Sequence, residues 1–217
     1  MKSALNYAKF FIKKGIDTNP NTYDGNMKLQ KMLFFANYLS LVMHGNCLFP
    51  EPIRAFSHGC VVEEVRLRYR NDYYTLYKES MAFDPDMTQN EYDVLNATID
   101  IFGDLSAKEL SELNHTFDFW KVAHQRSDTS YGHNKVKGIV PAEDMLKEAD
   151  RLKAVVDAYR QTKAMRAMRE VINGVTFYYD DSVEMNDDTL EQLVAFSEHA
   201  DEDAYTVYAE EGRLVIY

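Results

Sequence analysis

Two histidines and two cysteines in the first 60 residues are the side chains of this sequence most suited to binding a metal. His44 precedes Cys47 by three positions, and His58 precedes Cys60 by two. Imidazole and thiolate groups are ligands of tetrahedral zinc sites, but a His-x-Cys pair is not a common zinc motif. The simpler interpretation is that the histidines lie in turns and that the cysteines are small buried residues. We therefore expect no bound metal and no cofactor.

Cys60 and His58 are also a candidate nucleophilic pair. The sequence predicts a helix that begins near Gly59, and a helix N-terminus lowers the pKa of a nearby thiol. His58 would lie on a different face, however, and no third group orients it. His115 and Asp118 have no nucleophile beside them, and helix capping accounts for both. We therefore predict that the chain is not an enzyme.

The composition is that of a globular protein with a substantial core. The chain has 217 residues, of which 46% are hydrophobic, including 12 Phe and 15 Tyr. No apolar run approaches the roughly 20 residues that a membrane span needs. Lysines interrupt the apolar residues of the N-terminal segment, which favours a helix over a signal peptide. Two cysteines are too few for a disulfide scaffold, so we expect a cytoplasmic protein with free thiols.

The acidic residues are concentrated at the C-terminal end. The formal net charge is −11, and residues 170–217 contain 13 acidic residues and a single basic one, Arg213. This shift predicts two domains, 1–169 and 170–217. It also argues against nucleic-acid contacts by the second, because phosphate binding needs Lys and Arg. The acidic surface is either simply solvated or attracts a partner with a basic surface.

Helical patterns account for most of the first domain. Ser3 and Gly15 are placed to cap a first helix, and Gly45 to end a second. Thr88 and Ser106 each begin a capping box. The predicted helices span residues 3–15, 27–43, 59–70, 88–102, 106–114, 117–124 and 141–169.

The C-terminal domain has a different pattern. Residues 170–179, 205–208 and 214–217 are rich in β-branched and aromatic residues, which predicts strands. Glu210, Glu211 and Gly212 would form a hairpin turn, and Asp187 or Asp188 would cap a helix over residues 189–199. The predicted fold is mainly α, with a small β-α-β-β appendage.

Three segments resemble the Panacea domain, a family that includes SocA-like and GepA-like prophage proteins. The family pattern is K-L-Q-K-L-L-Y-F-A, then L-F-x-E-x-I-x-A-W-x-H-G-P-V-V, then L-S-x-x-T-H followed by P-W. The corresponding segments here are KLQKMLFFA (28–36), LFPEPIRAFSHGCVV (48–62), LSELNH (110–115) and Trp120. Two departures are Cys60 in place of Pro and Phe56 in place of Trp.

The resemblance implies a helical, non-enzymatic antitoxin encoded beside its toxin, of the kind found in prophages and phage defence. Such antitoxins neutralise toxins, including small alarmone synthetases, by direct binding, and some SocA-like members act as protease adaptors. A DNA-binding regulator of its own operon is the alternative, and a homodimer is compatible with either. The residues that we predict to bind a partner are His58, Arg66, Arg70, Asp180, Asp181, Glu184, Asp187, Asp188, Glu210 and Glu211.

Overall fold

A computed structural model describes residues 2–84, 86–130, 132–179, 183–210 and 213–217, with backbone alone for residues 163–167 and 210. The chain divides into two compact units, Met1–Val156 and Asp157–Tyr217. The predicted fold class, mainly α with a small α+β appendage, is confirmed. The domain boundary inferred from charge, between residues 169 and 170, stays a prediction.

The first unit consists of helices and two short hairpins. Its elements are α1 (Ala4–Lys13), α2 (Tyr23–His44), β1 (Ile53–Phe56), β2 (Gly59–Val62), α3 (Glu63–Met81), α4 (Gln89–Phe102), α5 (Ala107–His115), α6 (Asp118–Ser127), β3 (Asp128–Thr129), β4 (Gly132–His133), α7 (Ala142–Lys147) and the start of α8 (Ala149–Ala167). Within the described residues, no helix combines the length and the apolar character needed to cross a bilayer.

Helix α2 lies at the centre of this unit. It packs against α1, α3, α4, α5, α7 and β2, and every residue from Lys28 to Leu41 is buried. It ends at Gly45 in the left-handed conformation, as predicted, but begins at Tyr23 and not at Met27. The side chain of Thr22 accepts a hydrogen bond from the Gly25 N–H, so the polar segment before Met27 supplies the cap and first turn.

The prediction of a helix that begins near Gly59 is wrong, because β1 and β2 form an antiparallel hairpin there. Ile53 pairs with Val62 and Phe56 pairs with Gly59. Gly59 has a φ of +96°, which is incompatible with a helix start. The β-branched Val61 and Val62 favour an extended chain, and α3 begins only at Glu63.

The predicted capping boxes of α4 and α5 are both present, at Thr88–Glu91 and Ser106–Glu109. The single long helix predicted from Pro141 is instead two helices, α7 and α8. Glu148 lies between them, and its carboxylate accepts the backbone N–H groups that begin α6, at 3.0 and 2.7 Å. This long-range contact accounts for a break that no local pattern predicts.

The second unit contains the end of α8, a four-stranded sheet and the helix α9 (Asp187–Ser197). Its strands β5 (Arg169–Ile172), β6 (Val175–Tyr179), β7 (Ala204–Glu210) and β8 (Arg213–Ile216) lie in that order. The pairing of β6 with β7 is parallel, and α9 connects them. The core contains Phe177 and Leu193, both fully buried.

Two details of this unit differ from the predictions. The segment predicted as one strand is a hairpin, because Asn173 and Gly174 both have positive φ and reverse the chain. The cap of α9 is Asn186, whose side chain accepts the N–H of Thr189, and not Asp187 or Asp188. Those two aspartates occupy the first turn, where the helix dipole favours negative charge.

Glu91 connects the first helix of the chain to α4. Its carboxylate accepts hydrogen bonds from Lys2 Nζ at 2.9 Å and from the Thr88 N–H at 2.7 Å. The Tyr7 hydroxyl donates a third. Burial alone would raise the pKa of Glu91, but the hydrogen bonds from Tyr7, Thr88 and Lys2 outweigh it and lower the pKa to about 2.

Glu91→Gln should therefore lower the free energy of unfolding at neutral pH by about 2 kcal/mol, a value discounted for partial exposure. Since the folded-state pKa lies below the ordinary 4.5, this stability is present above pH 4.5 and is lost as pH falls towards 2. The difference from wild type in urea unfolding should shrink over that range. Glu109→Gln is the matched control, because Glu109 has the same capping position in α5 without a lysine or tyrosine partner. Equal losses for the two variants would contradict this account.

Candidate functional site

Polar side chains of α2 hold the backbone of the β1–β2 hairpin. Gln30 Oε1 accepts the Val62 N–H at 2.9 Å, and Gln30 Nε2 donates to Asn26 Oδ1 at 3.3 Å. Asn26 Nδ2 in turn donates to the carbonyl of Arg66 at 3.1 Å. A chain of amide groups therefore ties the hairpin and the start of α3 to the central helix.

Both backbone polar groups of Cys60 are bonded to side chains. Lys31 Nζ donates to the Cys60 carbonyl at 3.1 Å, and Asn114 Oδ1 accepts the Cys60 N–H at 2.6 Å. The side chain of Cys60 is fully buried, and burial raises the pKa of its thiol to about 12. The expectation of a lowered thiol pKa at a helix N-terminus is therefore wrong, because Cys60 lies in a buried strand.

Two further side chains hold the turn from the side of α5 and α6. Ser111 Oγ donates to the carbonyl of His58 at 2.9 Å, and Trp120 Nε1 donates to the carbonyl of Phe56 at 3.1 Å. The His115 ring stacks on Trp120 with centroids 4.1 Å apart, and burial lowers the pKa of His115. Asp118 forms an ion pair with Lys121 on the surface. These contacts favour a structural role for His115 and Asp118 over a catalytic one.

Gly59 is where this packing is tightest. A Cβ at this position would lie 2.3 Å from Asn114 Oδ1 and 2.9 Å from Lys31 Nζ. Its φ of +96° also disfavours any other residue. The hairpin turn can therefore approach α2 and α5 this closely only with glycine.

A cavity of about 390 Å³ opens beside this turn. Residues of α2, the hairpin turn and α3 line it, among them Tyr23, Gln30, Lys31, His58, Arg66 and Arg70. Three of these side chains are cationic, and the lining contains no carboxylate among the described residues. The arrangement is suited to binding a negatively charged group.

The structure brings together three of the residues predicted to bind a partner. His58 is exposed at the turn, and its ring meets that of Tyr23 edge to face, with centroids 6.0 Å apart. Arg66 donates to Glu63 at 2.7 Å and lies over the Phe56 ring. Arg70 is exposed and lines the cavity. The sequence predicts these three residues to bind a partner but does not indicate a cavity.

Residues 29–121 match the family model for the antitoxin SocA-like protein, Panacea domain. Residues 29–121, less than half of the chain, are therefore similar to a Panacea domain. No curated protein and no solved structure matches the chain significantly. The match covers α2 from Leu29, the hairpin, and α3 to the start of α6, whereas the cavity is also lined by residues before Leu29, such as Tyr23 and Asn26. The match indicates an antitoxin role.

The three motifs that resemble the Panacea pattern lie far apart in the sequence but meet at the hairpin turn. Gln30 and Lys31 of the first motif bond the backbone of Val62 and Cys60 in the second. Ser111 of the third motif donates to the carbonyl of His58, in the turn of the second motif. The helical pattern of residues 27–43 did not predict these roles of Gln30 and Lys31. The available signal was the interruption of an apolar helix by Asn26, Lys28, Gln30 and Lys31, since a buried polar group must find a partner.

Cys60, which departs from the family pattern, contacts a further departure, Asn114. The pattern has Pro and Thr where this chain has Cys60 and Asn114, and the Cys60 N–H donates to Asn114 Oδ1. A proline has no N–H to donate. The N–H of Ala55, which pairs with Cys60 in the hairpin, donates instead to the Gly138 carbonyl. A proline at position 60 would therefore remove the bond to Asn114 and leave this strand pairing intact.

The acidic residues predicted to bind a partner belong to the second unit. Glu184 is exposed before α9, and Asp187 and Asp188 are exposed in its first turn. Glu210 ends β7, opposite Arg213 of β8. Asp180, Asp181 and Glu211 lie outside the described residues, as does Gly212 of the predicted turn.

The candidate metal ligands do not form a cluster. Cys47 is half-buried and lines a second cavity together with His44, whereas Cys60 is enclosed in the core and His58 lines the first cavity. Among the described residues, no three His, Cys, Asp or Glu side chains are arranged to hold a metal ion.

Gly59→Ala should destabilise the protein far more than Gly45→Ala. Both glycines have positive φ, so both changes introduce the same kind of backbone strain, but only Gly59 lacks room for a Cβ. The extra cost of overpacking at Gly59 should be about 2 kcal/mol, measured by urea unfolding. Equal losses of stability in the two variants would show that the turn accommodates the added methyl group, which would contradict this account.

The contact between Cys60 and Asn114 should appear in a double-mutant cycle. Cys60→Pro and Asn114→Thr should each cost about 1–3 kcal/mol, because each leaves a buried polar group without its partner. The double variant, which restores the family pattern, should be more stable than the sum of the single costs by about 1 kcal/mol. Strict additivity in equilibrium unfolding would mean that the two positions are independent.

Proposed function

We propose that this chain is a cytoplasmic antitoxin that neutralises a cognate protein toxin by direct binding. The match of residues 29–121 to the antitoxin SocA-like, Panacea family is the observation on which the proposal rests. The chemistry of such a complex is binding alone, so it needs no catalytic group. What it needs is a surface that a toxin can bind.

The outer face of α9 offers such a surface. Leu190 and Val194 lie at its centre, and Val194 is 41% exposed. Asp187, Glu191 and Glu198 surround them in a shallow depression that no described cation lines. An apolar centre with a charged rim is the usual composition of a protein interface.

The described carboxylates of this region are not neutralised by cations of the region itself. Among the described side chains of residues 170–217, no carboxylate forms a salt bridge. Uncompensated charges of one sign speed the approach of an oppositely charged protein. The toxin should therefore present a basic surface, such as one that binds a phosphorylated substrate.

The basic residues of the first unit are less available. Lys2 and Lys9 of the N-terminal region pair with Glu91 and Glu79. In α3, Arg66 pairs with Glu63, and Arg68 pairs with Glu79. These internal pairs weaken the case for a DNA-binding regulator, which would need such groups for phosphate contacts.

Neutralising the α9 face should weaken toxin binding. The triple variant Asp187→Asn, Glu191→Gln and Glu198→Gln should bind the toxin encoded by the neighbouring gene about tenfold or more weakly, because charge complementarity is lost at the contact. Binding is measured by calorimetry on the purified pair, and neutralisation by growth after co-expression.

The matched control removes three charges elsewhere in the acidic segment, with Glu170→Gln, Glu202→Gln and Asp203→Asn. The control variant should keep nearly full affinity. Equal losses in both variants would assign the effect to net charge and not to α9. Absence of any complex between the wild-type protein and the neighbouring gene's product would contradict the proposed function itself.

A further inference from the structure

The cavity beside the hairpin turn has an excess of positive charge. Lys31, Arg66 and Arg70 line it, with His58 at its edge and no carboxylate in its described lining. Glu63 neutralises part of Arg66, but the same carboxylate also binds Lys135. Arg70 has no ion pair among the described residues and its side chain is exposed. It is therefore the cation best placed to bind an incoming anion.

Lys31 adds a buried positive charge to this wall. Its side chain is fully buried, and within the described residues its ammonium group makes one hydrogen bond, to the Cys60 carbonyl. Burial lowers the pKa of Lys31 to about 8. Burying an ammonium group without a counter-charge is costly. An anion in the cavity would supply the charge that the protein itself does not.

Aromatic rings form another part of the cavity wall. Tyr23 is 65% exposed, and its ring contacts His58 edge to face. Phe56 lies beneath the Arg66 guanidinium, whose carbon is 5.6 Å from the ring centroid. Exposed rings and guanidinium planes are surfaces on which planar groups stack. The cavity therefore combines sites for a planar ring with sites for an anion.

We propose that this cavity binds a small molecule in which a phosphate is joined to a planar ring, as in a nucleoside monophosphate. The cavity's volume of about 390 Å³ falls within the usual range for small-molecule sites. Arg70 contacts the phosphate, Lys31 adds positive charge behind it, and Tyr23 stacks on the ring. The proposal concerns a cavity within the first unit and does not depend on toxin binding.

The probes are AMP, phenyl phosphate and inorganic phosphate, titrated into the full-length protein by calorimetry. AMP and phenyl phosphate should bind saturably and more tightly than inorganic phosphate. Arg70→Gln should weaken both about tenfold, the usual effect of losing a charged hydrogen bond. Arg160→Gln removes the same charge from an exposed helix position outside the cavity and should leave binding unchanged.

Tyr23→Ala separates recognition of the ring from recognition of the anion. Because Tyr23 is largely exposed, its removal should leave the melting temperature nearly unchanged. It should weaken AMP about tenfold through lost stacking and leave binding of inorganic phosphate unaffected. Failure of all three probes to bind would overturn the proposal, as would equal affinity for AMP and inorganic phosphate. Equal losses for Arg70→Gln and Arg160→Gln would also overturn it.

Discussion

The first unit depends on the satisfaction of buried backbone groups at one hairpin turn. The N–H groups of Cys60 and Val62 and the carbonyl of Cys60 lie in the interior, where an unpaired group costs several kcal/mol. Gln30, Lys31 and Asn114 bond all three. The turn is therefore held by side chains from two helices and not by its own hydrogen bonds alone. Its position fixes the start of α3 and the wall of the adjacent cavity.

The same constraint explains the charge of the cavity. Lys31 is needed to bond the Cys60 carbonyl, so a buried ammonium group is a consequence of holding the turn. Arg66 and Arg70 follow on α3, which begins one residue after the hairpin ends. The structural role of Lys31 and the proposed binding role of the cavity therefore meet in one place. The second unit has its own core around Phe177 and Leu193 and presents charge of the opposite sign.

The sequence correctly predicted those features, such as helix caps, that depend only on residues near to each other in the chain. The capping boxes at Thr88 and Ser106 need only three residues of context, and both are present. The hairpin at Gly59 was predicted as a helix because its decisive bonds come from α2 and α5, distant in sequence. The break at Glu148 has the same cause, since its carboxylate caps α6. The clustering of His58, Arg66 and Arg70 around a cavity likewise required the tertiary structure.

Native-state hydrogen exchange of the Cys60 and Val62 amides tests most directly whether side chains from the helices hold the turn. Both N–H groups donate to side-chain amide oxygens. They should therefore exchange only through global unfolding, with a free energy equal to that from urea denaturation. In Gln30→Leu, the Val62 amide should lose protection by more than the global loss of stability. Rapid exchange of both amides in the wild-type protein, through a local opening of low free energy, would contradict this account.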